Sequence, residues 1–240
     1  MDNATDNGLM RTTGERADEP PVVRGKAAGT LTAEELSALR ASHDRTVVDV
    51  GAGDGRAVYR LARAHPRWLV IGLDPAWRRM VEMAARSARK PEKGGAPNAL
   101  YVRGVAEDPP PPLAGVADEL HVMLPWGRLL TGLVLGERQL CCGLRRMAVP
   151  GASLDVTVGT DIWREPVPVE IRELPELTLE YVEEVLRPRL AEAGWRVETA
   201  ELVSGAEPGG SGAHASSWGR RLSDRSRPRT RFMHIRATAR

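Results

Sequence analysis

The stretch Val47-Val48-Asp49-Val50-Gly51-Ala52-Gly53-Asp54-Gly55-Arg56 carries more structural information than any other in this chain. An apolar run ends in an acidic residue, and three glycines follow at alternate positions. This pattern reads as a buried parallel strand running into a tight turn without side chains, and then into a helix. Bare backbone at the carboxyl end of such a strand lets a ligand touch the main chain. A dinucleotide loop spaces its glycines G-x-G-x-x-G. Here the spacing is G-x-G-x-G, with Asp49 two residues before the first glycine. The motif alone leaves open a glycine-rich turn in an unrelated α/β protein.

Outward from this loop, segments of strand and helix character alternate. Strands are expected at 46–50, 69–73, 99–103, 118–124 and 152–158, with helices at 55–64, 76–90 and 128–147 between them. Alternation of this kind implies βαβ units and a parallel sheet. A helix over about 178–193 ends at Gly194, and strands at 195–203 and 231–238 close the chain. Near the start, Leu31-Thr32-Ala33-Glu34-Glu35-Leu36 has the signature of a helix N-terminus: Thr32 caps the amide of Glu35, Glu35 reaches back, and Leu31 staples onto Leu36. Residues 1–22 are polar and expected to be disordered, leaving 23–240 as one domain. The expected assembly is a seven-stranded, mostly parallel, doubly wound α/β sheet with a C-terminal antiparallel hairpin.

Charge is distributed unevenly. The formal net charge is +2, but residues 1–20 hold five acids against two arginines, and residues 211–240 hold eight arginines against Asp224 alone. A basic C-terminal segment invites a polyanion; a solvated tail is the simpler alternative. The two cysteines, Cys141 and Cys142, are adjacent, which excludes a disulfide framework and fits a reducing cytoplasm. The five histidines show no metal-ligand spacing, and no metal is expected. No apolar run approaches membrane-spanning length.

Two further signals stand at strand ends. Gly72-Leu73-Asp74-Pro75 places an acid 25 residues beyond Asp49, where it can accept both ribose hydroxyls of a nucleoside; capping the next helix is the alternative. Val105-Ala106-Glu107-Asp108 follows the next strand. With Asp49 before G-x-G-x-G, these segments resemble the S-adenosylmethionine (SAM) site of class I methyltransferases. In that family the first acid meets the amino acid end of SAM, and the third loop lies against its adenine.

Three more segments narrow the resemblance: Lys90-Pro91-Glu92-Lys93-Gly94-Gly95-Ala96-Pro97-Asn98, Met123-Leu124-Pro125-Trp126-Gly127 and Ser216-Ser217-Trp218-Gly219-Arg220-Arg221-Leu222. Together with the glycine loop, and in this order, they resemble the aminoglycoside-resistance 16S rRNA (adenine-1408-N1) methyltransferases of the Kam and Npm type, from about Val22 to the C-terminus. The resemblance implies that Asp49, Gly51 and Gly53 form the SAM loop, that Asp74 is the ribose acid, and that Ala106 and Glu107 contact the adenine. It implies that Trp126 and Trp218 sandwich the flipped target adenine, with Ser216 ordering the site. It further implies that Arg220 and Arg221 begin an rRNA-contacting segment, and that the helix before Lys90 offers another. The implied partner is 16S rRNA in the assembled 30S subunit, the cosubstrate SAM, the location cytoplasmic and the protein a monomer. A small-molecule methyltransferase of the same fold and a non-catalytic RNA-binding relative are the rivals.

The chemistry fits these residue types. Adenine N1 lies inside the Watson–Crick face, so the base must leave its helix to be methylated. Aromatic faces compensate for lost stacking, by roughly 1–3 kcal/mol per base. Burial in the core is the reading for Trp68 and Trp195; Trp126 and Trp218 are flanked by Pro, Gly, Ser and Arg. No general base is needed, because N1 carries a free lone pair. Between Trp77 and Lys93 stand Arg78, Arg79, Arg86, Arg89, Lys90 and Lys93, against two acids. Arg79, Arg86 and Lys90 are expected on one helical face, suited to an rRNA backbone read by shape. Arg225 and Arg227 extend the C-terminal basic patch.

Overall fold

The computed structural model describes residues 21–24, 27–160, 169–204 and 231–240. The first strands, β1 (Pro21–Arg24) and β2 (Ala27–Thr30), form an antiparallel hairpin. Helix α1 (Ala33–Ala41) opens with the capping box the sequence signals: the Glu35 amide donates to Thr32 Oγ1 at 3.1 Å, and the Thr32 amide to Glu35 Oε2 at 3.3 Å. Then follow β3 (Arg45–Val50), α2 (Arg56–Ala64), β4 (Trp68–Leu73), a 3₁₀ turn at Trp77–Met80, α3 (Val81–Ser87) and β5 (Ala99–Val102). The second half holds β6 (Ala117–Met123), α4 (Arg128–Val134), α5 (Arg138–Met147), β7 (Ala148–Gly159), α6 (Val169–Arg172), α7 (Leu179–Tyr181), α8 (Arg187–Glu192), β8 (Trp195–Ser204) and β9 (Arg231–Ala239).

The described strands form one sheet in the order β2-β1-β5-β4-β3-β6-β7-β9-β8. Pairings from β5 through β7 are parallel, and β9 joins β7 and β8 antiparallel. All seven expected strands are present, and the chain adds the β1–β2 hairpin on the β5 edge, where Val22 and Val23 pair with Val102 and Tyr101. The chain reverses direction across the sheet at β3, between β4 and β6. Ligands bind at such a switch point, outside the carboxyl ends of the strands.

Alternation along the strands sends each face to its own core. Val48, Val50, Leu120, Val122, Leu154 and Ile235 pack under α1, α4, α5 and α8. Val47, Val70 and Tyr101 pack under α2 and α3. Trp195 is fully buried, its indole N–H donating to the Cys141 carbonyl at 3.1 Å, as a core tryptophan should. Trp68 departs from the core reading. It is half-buried at the sheet rim, stacked on His65 at 3.8 Å with Arg45 over its ring.

Helices break where backbone chemistry demands it. The expected helix 128–147 is two, because Gly136 takes φ +56 and Glu137 starts afresh. The expected helix 178–193 widens into a π turn at Val182–Leu186, just before Pro188, which has no N–H to continue the ladder. The expected helix 76–90 begins as 3₁₀ and ends at Ser87. Lys90 is extended, at φ −60 and ψ 143, so it does not continue the helical stripe of Arg79 and Arg86.

Candidate functional site

Four loops meet above the carboxyl ends of β5, β4, β3 and β6. The first runs from Asp49 through the glycines. Gly51, Gly53 and Gly55 all have positive φ, of +77, +60 and +74, a conformation open to glycine at little cost. A Cβ on Gly51 would stand 2.7 Å from a methyl of Leu129, so the loop lies flush against the start of α4. The amides of Gly51 and Ala52 both donate to the Leu73 carbonyl, at 2.8 and 3.2 Å. This ties the glycine loop to the end of β4.

Asp74 serves two purposes at once. Its Oδ1 accepts from the Ala76 amide at 2.7 Å, which is the local turn-capping role. Its Oδ2 accepts from the Gly53 amide at 2.9 Å, which locks the glycine loop. Each carboxylate oxygen keeps a further lone pair for a ligand hydroxyl. Asp49 is a different kind of acid. Asp49 is only 7% exposed. Burial pushes its carboxyl up to about 6; His121 and Arg60 pull against this, while Asp74 and Asp54 add to it. A buried carboxylate in that state fits a cationic ligand group.

The third loop carries Ala106 and Glu107. Ala106 is buried, and its carbonyl lies where a Cβ on Gly143 of α5 would be 1.9 Å away. Gly143 therefore allows α5 to sit directly beneath this loop. Glu107 Oε1 accepts from Arg128 Nε at 3.1 Å. Arg128 in turn is the first residue of α4, so the third and fourth loops are bridged. Arg128, Leu129 and Gly143 carry no signal of this role in the sequence: the first two sit two and three residues after Trp126, and nothing in spacing tells which loop they touch.

The fourth loop holds Trp126. Leu124 adopts φ +50, alone among described non-glycine residues in having a positive φ, and Gly127 has φ +58. Such strain is uncommon outside functional sites. The turn leaves Trp126 44% exposed, after the carboxyl end of β6, the strand next to β3. Trp218, Ser216, Arg220, Arg221, Arg225 and Arg227 lie outside the described residues.

Arg86, Arg89, Lys90 and Lys93 are all exposed. Helix α3 carries the chain from the carboxyl ends of the strands towards their amino ends. Arg78 and Arg79 therefore stand nearest the crevice, and the other four continue along its flank. This flank is anchored to α2: Tyr59 Oη donates to the Gly94 carbonyl at 2.6 Å, Arg63 reaches the Pro91 carbonyl at 3.3 Å, and Arg86 lies 4.7 Å over the Tyr59 ring. A Cβ on Gly95 would come within 1.7 Å of the Arg89 carbonyl, so that turn closes tightly.

The chain matches the family described as NpmA, 16S rRNA (adenine(1408)-N(1))-methyltransferase, over residues 21–238. It is 42% identical over 200 residues to a 16S rRNA (adenine(1408)-N(1))-methyltransferase of Streptoalloteichus hindustanus, covering 83% of this chain and 90% of that protein. Among solved structures, a tryptophan-to-alanine mutant of the Catenulisporales acidiphilia 16S rRNA (adenine(1408)-N(1))-methyltransferase, with cosubstrate SAM, is 49% identical, with TM-score 0.84 and coverage of 92% and 96% of the two chains. The 16S rRNA methyltransferase KamB is 41% identical, with TM-score 0.80 and coverage of 91% and 99%. The chain belongs to the 16S rRNA (adenine(1408)-N(1))-methyltransferase family.

Proposed function

We propose that this protein methylates N1 of adenosine 1408 in the 16S rRNA of the assembled 30S subunit, so giving resistance to aminoglycosides. Family membership supports the reaction, and the observation that supports the site is that Asp49, the glycine loop, Asp74 and the exposed Trp126 stand at the carboxyl ends of the neighbouring strands β4, β3 and β6, with Asp74 bonded to the glycine loop. SAM supplies a methyl group on a sulfonium, already activated for transfer. The side chains around it need only bind and orient. Asp49 takes the α-ammonium, Asp74 the ribose hydroxyls, and the Ala106–Glu107 loop the adenine.

The target base leaves its helix and stacks on Trp126, with Trp218 on its other face and Ser216 beside it. Its N1 carries a free lone pair, so attack on the methyl needs no deprotonation, and the sulfonium's C–S bond would break to leave the neutral thioether, S-adenosylhomocysteine. As the new bond forms, positive charge develops on the purine, and indole faces favour it by about 0.5–2 kcal/mol. Arg86, Arg89, Lys90 and Lys93 follow the rRNA backbone on the flank, and Arg220, Arg221, Arg225 and Arg227 complete the contact on the C-terminal side. The protein acts as a monomer in the cytoplasm, where its substrate is; among the described residues no helix is long and apolar enough to cross a membrane. Primer extension on 30S subunits incubated with protein and SAM should stop at adenosine 1408. Full read-through at saturating enzyme refutes the assignment.

A further inference from the structure

The face of the sheet that carries Asp49 does not end there. In the parallel register Asp49 on β3 stands opposite His121 on β6, His121 opposite Asp155 on β7, and Asp155 opposite Arg236 on β9. Residues paired this way share a face and stand about 5 Å apart. Four adjacent strands thus line up acid, imidazole, acid and guanidinium in one transverse row, whose open end is the donor-binding acid. His121 is 5% exposed and Asp155 8%. His121 Nε2 lies 2.5 Å from Glu119 Oε1, and Glu119 Oε2 accepts from Arg45 at 3.0 Å. Asp155 Oδ1 accepts from Arg236 Nε at 2.8 Å, with His234 Nε2 at 3.5 Å.

Glu119, His121 and Asp155 bring their ligand atoms within 4.8 Å of one another, close enough for a divalent cation. Arg45 and Arg236 already sit on the two carboxylates, however, so the chain balances the cluster itself. The imidazole has another use. Burial lowers its basicity, but the hydrogen bond to Glu119 and the charges of Glu119, Asp49 and Asp155 outweigh burial and raise it. The charged ring is the largest influence opposing the burial of Asp49. Across the crevice, Asp74 and Asp54 push the other way.

We infer that His121 is a positioning residue for the methyl donor: set between Glu119 and Asp155 and opposite Asp49 in the row across β3, β6 and β7, it prepares the Asp49 carboxyl to meet the donor's α-ammonium. This rests on the assignment of Asp49 to SAM binding. His121 touches neither the methyl group nor the base; it acts through Asp49. Arg60 assists from α2, and Arg45, His234 and Arg236 hold the two flanking carboxylates.

The test is SAM affinity by calorimetry on the full chain from pH 5.5 to 8.5, for the native protein, His121→Gln, His121→Lys and Asp49→Asn. Native affinity should fall as pH drops through about 6. His121→Gln should move that midpoint upward by about one pH unit, making binding about threefold weaker at pH 6.5 and equal to native at pH 8.5, where Asp49 is ionised regardless. His121→Lys keeps a cation and should hold the low midpoint; it also serves if the glutamine variant does not fold. An unmoved midpoint in His121→Gln, a loss that persists at pH 8.5, or a raised midpoint in His121→Lys overturns the inference. Asp49→Asn separates the two levels. If it binds SAM as tightly as the native protein at pH 7.5, the donor-site assignment itself is wrong. If it binds weakly while His121→Gln is unchanged, only the role of His121 falls.

Discussion

Asp49→Asn should weaken the site and strengthen the fold in the same molecule. The native carboxyl is raised by burial from 3.8 to about 6. Sign matters here. A carboxyl whose folded value lies above its unfolded value costs the fold nothing below the unfolded value, where both states are protonated, and costs it fully above the folded one. Two units at about 1.36 kcal/mol each give a penalty of about 3 kcal/mol above pH 6. Asparagine is nearly the same size and carries no charge to bury. At pH 7.5 the donor-free variant should therefore be more stable by up to about 3 kcal/mol, or roughly 5–10 °C in Tm for a chain of this size. At pH 4.5 most of that advantage should vanish. The same substitution removes a charged hydrogen-bond partner for the α-ammonium, worth about 1.5–3 kcal/mol, so SAM should bind roughly 10- to 150-fold more weakly. Urea unfolding at pH 4.5 and 7.5, with calorimetry at pH 7.5, reads both effects. A variant destabilised at pH 7.5 would mean that the native carboxylate is stabilised by partners in the fold, and the reasoning from burial would be wrong.

Three other substitutions probe separate parts of the site. Trp126→Ala removes a side chain already 44% exposed, so the change in stability should stay within about 1 kcal/mol, while loss of one stacking face should cost about 1–3 kcal/mol, or roughly 5- to 150-fold in 30S methylation; a Tm collapse instead would make it a core residue. Gly143→Ala puts a methyl 1.9 Å from the Ala106 carbonyl, a backbone atom that must move by about 1 Å to reach contact distance; overpacking of about 1–3 kcal/mol should appear in urea unfolding, with SAM affinity falling and the pattern of rRNA contacts unchanged. Arg86→Glu with Lys90→Glu should leave SAM binding intact, depress 30S methylation by at least about tenfold, and reduce the salt dependence of 30S binding; 30S methylation at the native rate would show that this flank does not contact the rRNA.

The strand ends and loops of the candidate site are legible in the primary structure because their signals are local. Asp49 and the glycines announce a strand end and a turn within ten residues, and Asp74 ends the next apolar run. The family's other motifs are also short and contiguous. What could not be read was everything set by neighbours far along the chain. The β1–β2 hairpin offers too few apolar residues to register as strands until Val22 and Val23 find β5. The basic helix is shorter than its charge periodicity, which continues past Ser87, because the backbone turns at Lys90 to let Gly94 meet Tyr59. The histidines show no pattern in the sequence because His121 and His234 are 113 residues apart; sheet order places both beside Asp155.

By itself, then, the order of residues determined the alternating α/β architecture, the placing of acids at the strand ends and the exposure of Trp126, since apolar periodicity, positive-φ glycines and Pro–Trp–Gly turns act over a few bonds. Tertiary structure alone decided how tightly Asp49 is buried, which residues lock the loops together, and which charges face it across the sheet. Burial and strand register are properties of elements packed side by side, and the free energy of a charge depends on what surrounds it in space rather than on what precedes it in the chain.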